Sequence, residues 1–204
     1  MRMLRCSILI IIFLSLPLPT LATTVAVVEA AVERAAFQRY GGQQPIKVGT
    51  LLRSGDIITT GGDARVRIRD GSLVRIGAYA RFEFDRLIPP KKRGRLTGVF
   101  NVLKGIFRFT SSKSRKPNVE IQVGNVIAVG IRGTDVFTSA KANKDIVCLI
   151  ESKISVQAGN VTAMLTQPRE GFVVPKGKPP LPVRLIPEEK FQKWLRNSEL
   201  QNRE

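Results

Sequence analysis

From Val25 to Val174 the chain is dominated by short runs in which apolar and polar residues alternate, broken by Gly, Asp and Pro. The clearest is "ARVRIRDGSLVRIG", residues 64–77. Val66 and Ile68 alternate with Arg65, Arg67 and Arg69; beyond Asp70-Gly71, Val74 and Ile76 alternate with Leu73 and Arg75. A period of two on both sides of Asp-Gly predicts a β-hairpin. A two-residue loop would pair Arg67 with Val74 and Arg65 with Ile76, mixing charge and core on one face. A three-residue loop, Asp70-Gly71-Ser72, pairs Ile68 with Val74 and Val66 with Ile76. Because a slip of one residue flips every side chain, the odd loop with a bulge is expected, with the apolar face inward and an arginine ladder outward.

The same pattern recurs. "ARFEFDRL" sets Phe82 and Phe84 against Arg81, Glu83 and Asp85, and "GVFNVLKGIFRF" reads as two strands meeting near Lys104-Gly105. "VEIQVGNVIAV", "DIVCLIESKISV", "NVTAML" and "EGFVV" supply further strands. Many short strands at regular spacing, with no helical run between them, predict an all-β fold, an antiparallel β-sandwich or roll. "AVVEAAVERAAFQRY", residues 26–40, is the exception, because its Ala, Glu and Arg favour helix and its apolar spacing tolerates either period. After Val174, "PKGKPPLPVRLIP" cannot sustain sheet hydrogen bonds at its prolines and reads as an extended strap. "PEEKFQKWLRNSELQNRE" then opens with Pro187 at a first helical position and two glutamates in the first turn. Phe191, Trp194 and Leu195 share one face of that helix, for docking on the sheet or on a partner.

The start of the chain, "MRMLRCSILIIIFLSLPLPTLATT", does not fit the alternating pattern. Two arginines precede an apolar stretch from Cys6 to Leu16, Pro17 and Pro19 end it, and Thr20-Leu21-Ala22 places small residues where a signal peptidase reads them. The stretch is shorter than the roughly 20 apolar residues a membrane span needs. The expected organisation is a cleaved leader over 1–22, an all-β domain over 23–175, and the strap and helix over 176–204. The localisation that follows is periplasmic or secreted, with no transmembrane span after cleavage.

Composition narrows the chemistry. The chain has no histidine, which removes Ser-His-Asp and Cys-His nucleophile systems and His-ligated metals, and no metal or cofactor is expected. Loss of the leader would leave Cys148 as the single thiol, set among β-branched residues and read as a small buried hydrophobe. The 33 basic against 16 acidic residues give a net charge of +17. On an exported chain such an excess points to anionic envelope material rather than nucleic acid.

"NVIAVGIRGTDVF", residues 125–137, concentrates Gly130, Arg132, Gly133, Thr134 and Asp135. A phosphate loop would need a lysine after the second glycine and a helix behind it. Neither is present, since "DVFTS" reads as strand. A structural corner is the better reading, with the glycines allowing a bend and Arg132 pairing with Asp135. "IAVGIRGTDVF" also resembles the signature segment of the FecR domain family, and "VGTLLRSGDIITTGGDARVRIRDGSLVRIGAYARFEF" resembles its opening block. "VLKGIFRF" and "LIESKISV" are similar to its later paired strands, with Ser152 where glycine is common. The resemblance implies an extracytoplasmic all-β domain used in sensing or protein interaction, without catalysis. Best-known members sit in inner-membrane regulators that relay a receptor signal to a sigma factor. The leader-like start of this chain fits a stand-alone module instead.

Residues 65–116 hold most of the positive charge: Arg65, Arg67, Arg69 and Arg75 of the hairpin, Lys91, Lys92, Arg93 and Arg95, and "KSRK" at 113–116. Two readings stand for them. One is a solvated surface that discourages sheet aggregation. The other is a face that binds anionic envelope material such as lipopolysaccharide, acidic glycan or lipid head groups. The functional expectation is therefore a non-enzymatic envelope module with an envelope protein or anionic polymer as partner. A carboxylate-based hydrolase would require two acids converging in a cleft, which the spacing of Asp56, Asp63, Asp70 and Asp135 does not suggest.

Overall fold

The computed structural model describes residues 23–32, 34–88, 95–113, 117–124, 126–131 and 133–198, with backbone alone for 127–131. The expected leader at 1–22, Lys91–Arg93 and Arg132 lie outside them. In chain order come β1 (Thr24–Ala31), β2 (Ala35–Arg39), β3 (Gly42–Pro45), β4 (Leu51–Arg53), β5 (Ile57–Thr60) and β6 (Ala64–Ile68). Then follow β7 (Leu73–Ile76), β8 (Arg81–Ile88), β9 (Thr97–Thr110), β10 (Asn118–Val123), β11 (Val126–Ile131) and β12 (Asp135–Ala140). β13 (Lys144–Glu151), β14 (Ile154–Ala158), β15 (Val161–Leu165), β16 (Glu170–Pro175), β17 (Arg184–Leu185) and helix α1 (Glu188–Asn197) complete the fold.

Strand pairing defines two sheets. The first runs β4-β1-β6-β7-β9-β12-β13-β16-β17, and the second runs β3-β2-β5-β8-β9-β10-β11-β14-β15. Among the described residues all the pairings are antiparallel except β9 with β10. The architecture is thus the antiparallel β-sandwich that the alternation predicts.

β9 belongs to both sheets, and this corrects the two-strand reading of "GVFNVLKGIFRF". Its first half pairs with β8 and β10, its second with β7 and β12. The chain bends without ending because Gly105 adopts φ +94, and a Cβ there would lie 2.6 Å from the Ala80 Cβ. Only glycine meets both demands. Around this crossing Phe82, Phe84, Phe100, Phe107 and Phe109 are buried, with the Phe82 and Phe107 rings stacked at 4.6 Å.

The hairpin keeps the expected faces and changes the expected register. Val66 pairs with Val74 and Ala64 with Ile76, so the predicted pairs Ile68–Val74 and Val66–Ile76 are two residues out. The three-residue loop is Arg69-Asp70-Gly71 rather than Asp70-Gly71-Ser72. Gly71 N–H donates to Ile68 O at 2.9 Å, and Ile68 N–H donates to Ser72 O at 2.9 Å. Gly71 takes the left-handed position at φ +91, as a turn followed by a bulge requires. Asp70 fixes the choice: its carboxylate accepts both the Ser72 N–H and the Ser72 hydroxyl at 2.9 Å. The alternation of apolar residues, from which the loop was expected, fixes the faces but does not distinguish two registers that differ by two residues.

The ambiguous segment forms β1 and β2. β1 is irregular, with pairing shifts between Thr24 and Ala26 and between Val28 and Ala30. The strap also joins the body. Leu181 N–H donates to Val173 O at 2.9 Å, and β17 pairs with β16. α1 lays Phe191 and Trp194 on the outer side of the first sheet, against Phe137, Ile146, Cys148 and Val173. Pro187 is the residue before the helix rather than its first member.

Candidate functional site

The outer side of the first sheet carries the residues that the sequence singles out. Strand register places Arg65 opposite Arg75, Arg75 opposite Arg108, and Arg108 opposite Phe137, with Cys148 beyond. One row thus passes from three arginines into the apolar patch beneath α1. There the Trp194 ring stacks on Phe137 with centroids 4.9 Å apart. The next row holds Arg67, Leu73, Thr110 and Asp135. Like charges directly opposite on a sheet repel, so this arrangement needs compensating groups.

Two acids supply them. The extra residue at the β1 irregularity is Glu29, and its carboxylate accepts Arg67 Nε at 2.7 Å and lies 3.2 Å from Arg65 Nε. The hydrogen bond from Arg67 is the main cause of a Glu29 pKa below the usual carboxylate value; burial opposes it, and the charges of Arg67 and Arg65 add to it. Asp135 is the second acid. Arg108 Nε donates to its Oδ1 at 3.0 Å and Arg108 Nη2 to its Oδ2 at 2.8 Å. Thr110 Oγ1 lies 3.1 Å from the same Oδ2 and 3.1 Å from Arg75 Nη1, so that Arg75, Thr110, Asp135 and Arg108 form one network.

The expected partner of Asp135 was Arg132, which lies outside the described residues; the bonds that hold Asp135 come from Arg108. Around it the motif forms a strand-to-strand corner and not a strand-to-helix loop. β11, which contains Gly130, ends at Ile131, Gly133 takes φ +69, and Thr134 O accepts the Ser111 N–H at 2.9 Å before β12 begins at Asp135. The corner therefore ties β12 to the end of β9. Sequence reasoning missed Arg108: its place between Phe107 and Phe109 marks it as lying on the polar side of a strand but not what it meets.

Not every predicted basic residue joins the face. Arg69 sits in the hairpin loop, exposed, with Nη1 3.3 Å from Thr24 O. Arg95 precedes β9, at the opposite end of that strand from Arg108, and so is not brought to the ladder. Lys91, Lys92 and Arg93 fall outside the described residues.

The buried acids are bonded individually. Asp56, 1% exposed, accepts Arg39 Nε at 2.7 Å, Arg39 Nη2 at 2.6 Å and Arg53 N–H at 2.7 Å. Asp145 meets Lys176 Nζ at 2.6 Å. Burial pushes the Cys148 thiol up to about 12. Among the described residues no three His, Cys, Asp or Glu side chains gather to hold a metal. Among them, too, no helix is long and apolar enough to cross a membrane.

The polar groups of this β-sandwich thus brace its own strands. The family model described as FecR protein matches residues 56–162, and the chain belongs to the FecR family. Two crystal structures of a candidate anti-sigma factor from Parabacteroides distasonis, at 1.65 and 2.50 Å, share the fold. Each matches with a TM-score of 0.53 and 16% identity, over 67% of this chain and 62% of theirs. This chain therefore spans under two thirds of their length. No curated protein matches it.

Proposed function

We propose that the chain is an exported, non-catalytic sensing and protein-interaction module of the cell envelope, working in the periplasm or beyond it. Membership of the FecR family and the likeness to a candidate anti-sigma factor support a regulatory role with protein partners. The leader-like start supports export. The observation that carries the non-catalytic reading is the use made of the buried acids. Asp56, Asp70, Asp135 and Asp145 are each bonded to a neighbour that fixes a strand or turn. A carboxylate that works as acid or base has to meet its substrate.

Cross-linking in intact cells, followed by purification of the tagged chain from the envelope fraction, tests this reading. The expected product is a stoichiometric complex with an envelope regulatory protein. Turnover of an ester, phosphoester or glycoside by the purified chain, abolished by a substitution that leaves the fold intact, would overturn it.

A second reading concerns the arginine face. Arg65, Arg67, Arg75 and Arg108 share it with two compensating acids, Glu29 and Asp135. That excess favours contact with an anionic envelope polymer by many weak bonds, which salt screens over about 8 Å at physiological strength. Binding of lipopolysaccharide that does not weaken with added salt, or that survives Arg65→Ser with Arg67→Ser, would remove this reading.

A further inference from the structure

We propose that β15 is a docking edge, which accepts an extended, uncharged segment of a protein partner as an added strand of the second sheet. The proposal rests on the protein-interaction reading and specifies where and how that contact is made.

Among the described residues the two open sheets have four edges: β4 and β17 on the first, β3 and β15 on the second. An edge strand exposes unpaired N–H and C=O groups, and proteins blunt it with shortness, proline or charge. Three of the four edges are blunted in these ways. β4 has three residues, ends in Arg53, and gives the Leu51 carbonyl to Arg39 Nη2 at 3.0 Å. β17 has two residues between Pro182 and Pro187 and includes Arg184. β3 is four residues long and ends at Pro45.

β15 lacks every one of these devices. It is five residues, Val-Thr-Ala-Met-Leu, paired to β14 without a register shift from Ile154–Leu165 to Ala158–Val161. From Gln157 to Gln167 there is neither charge nor proline, in a chain of which 24% is charged. The open stretch has defined ends. Gly159 turns the chain before it at φ +55, and after it the Thr166 and Gln167 N–H groups donate to Glu170 Oε2 at 2.6 and 3.1 Å.

The side chains indicate what would lie alongside. Leu165, Ala163 and Val161 alternate on the core side, opposite the buried Ile154, Val156 and Ala158. Yet Val161 is 46% exposed, so the core is uncovered at this corner. On the outer side Met164 is 55% exposed beside Thr162. A neighbour with apolar residues alternating along one side would cover Val161, and backbone bonds would supply the rest of the affinity. A second copy of this chain is the poorer occupant: the net charge of +17 makes two copies repel. A partner of net negative charge that offers an uncharged strand is attracted and meets no unpaired charge.

The test uses the whole chain and a capped peptide Ile-Ser-Val-Gln-Ala, the sequence that β15 already pairs with on its other side. Amide hydrogen exchange at 161–165 should slow about tenfold at saturating peptide, with no change at the arginine face. Peptide N-methylated at every residue, which leaves no N–H donor on either side, should fail to protect these amides. The Ala163→Pro variant should lose the effect as well, and the methylated peptide keeps the test sound if that variant misfolds. Equal protection by the methylated peptide, protection elsewhere, or none at millimolar peptide would overturn the proposal. So would a dimer in sedimentation experiments that protects 161–165. A protein partner captured through another surface would sink this proposal and spare the interaction role, whereas the absence of any protein complex would sink both.

Discussion

Arg108 and Asp135, 27 residues apart in sequence, form a two-pronged bridge of 3.0 and 2.8 Å on the outer side of the first sheet. Both are largely buried, at 13% and 8% side-chain exposure. Breaking such a pair leaves one charge desolvated without a partner, which costs about 3–5 kcal/mol. Asp135→Asn should lower the urea midpoint accordingly. Arg108→Met combined with Asp135→Leu should cost less than the sum of the two single changes, as a double-mutant cycle would measure.

Phe137 lies under Trp194, and the chain has no other tryptophan. Phe137→Ala should therefore free α1 from the sheet, at a cost of about 3–5 kcal/mol. Native fluorescence should shift to the red, and a protease should cut near residues 184–190 first. Unchanged emission would mean that the helix is held by other contacts.

The bend in β9 depends on one residue. Gly105→Ala adds a Cβ 2.6 Å from the Ala80 Cβ at a backbone angle that disfavours side chains. A loss of roughly 2–4 kcal/mol in thermal or urea unfolding is expected from overpacking and backbone strain together.

Glu29 sets an acid limit. Its pKa in the folded state is lowered, so the stability that it contributes is complete above the ordinary value of about 4.3 and is lost as pH falls through the lower folded value. The pair is partly exposed, and the contribution is at most about 1 kcal/mol. Between pH 5 and 3, Glu29→Gln should flatten the wild-type fall in stability and leave the other acid transitions in place.

Cys148 is fully buried with its thiol pushed up to about 12. Alkylation at Cys148 near pH 8, read by peptide mapping, should proceed only at the rate of unfolding.

The sandwich was legible because several strands keep strict alternation with one buried side, as in Ala64–Ile68 and Asn118–Val123. β1 was not, and the reason is physical. The irregularity between Val28 and Ala30 inserts Glu29, which breaks the period of two and imitates helical spacing. That same insertion aims Glu29 at Arg65 and Arg67. Asp135 could be found from its motif, but its partner could not. Arg108 reaches it only because β9 bends at Gly105 and enters the first sheet, a long-range consequence that no local spacing records. The exposed edge at β15 was equally hidden, since "NVTAML" reads as any strand until the order of the sheet puts it last.

In the proposed role the chain acts by holding a protein and not by changing one. The most direct test mixes the purified chain with the envelope protein captured by cross-linking, at 50 and 500 mM salt, and follows the mixture by size exclusion and intact mass. The account predicts a one-to-one complex that persists at the higher salt, with both masses unchanged. A partner cleaved or modified by the chain, or a complex with polyanion alone that vanishes at the higher salt, would contradict it.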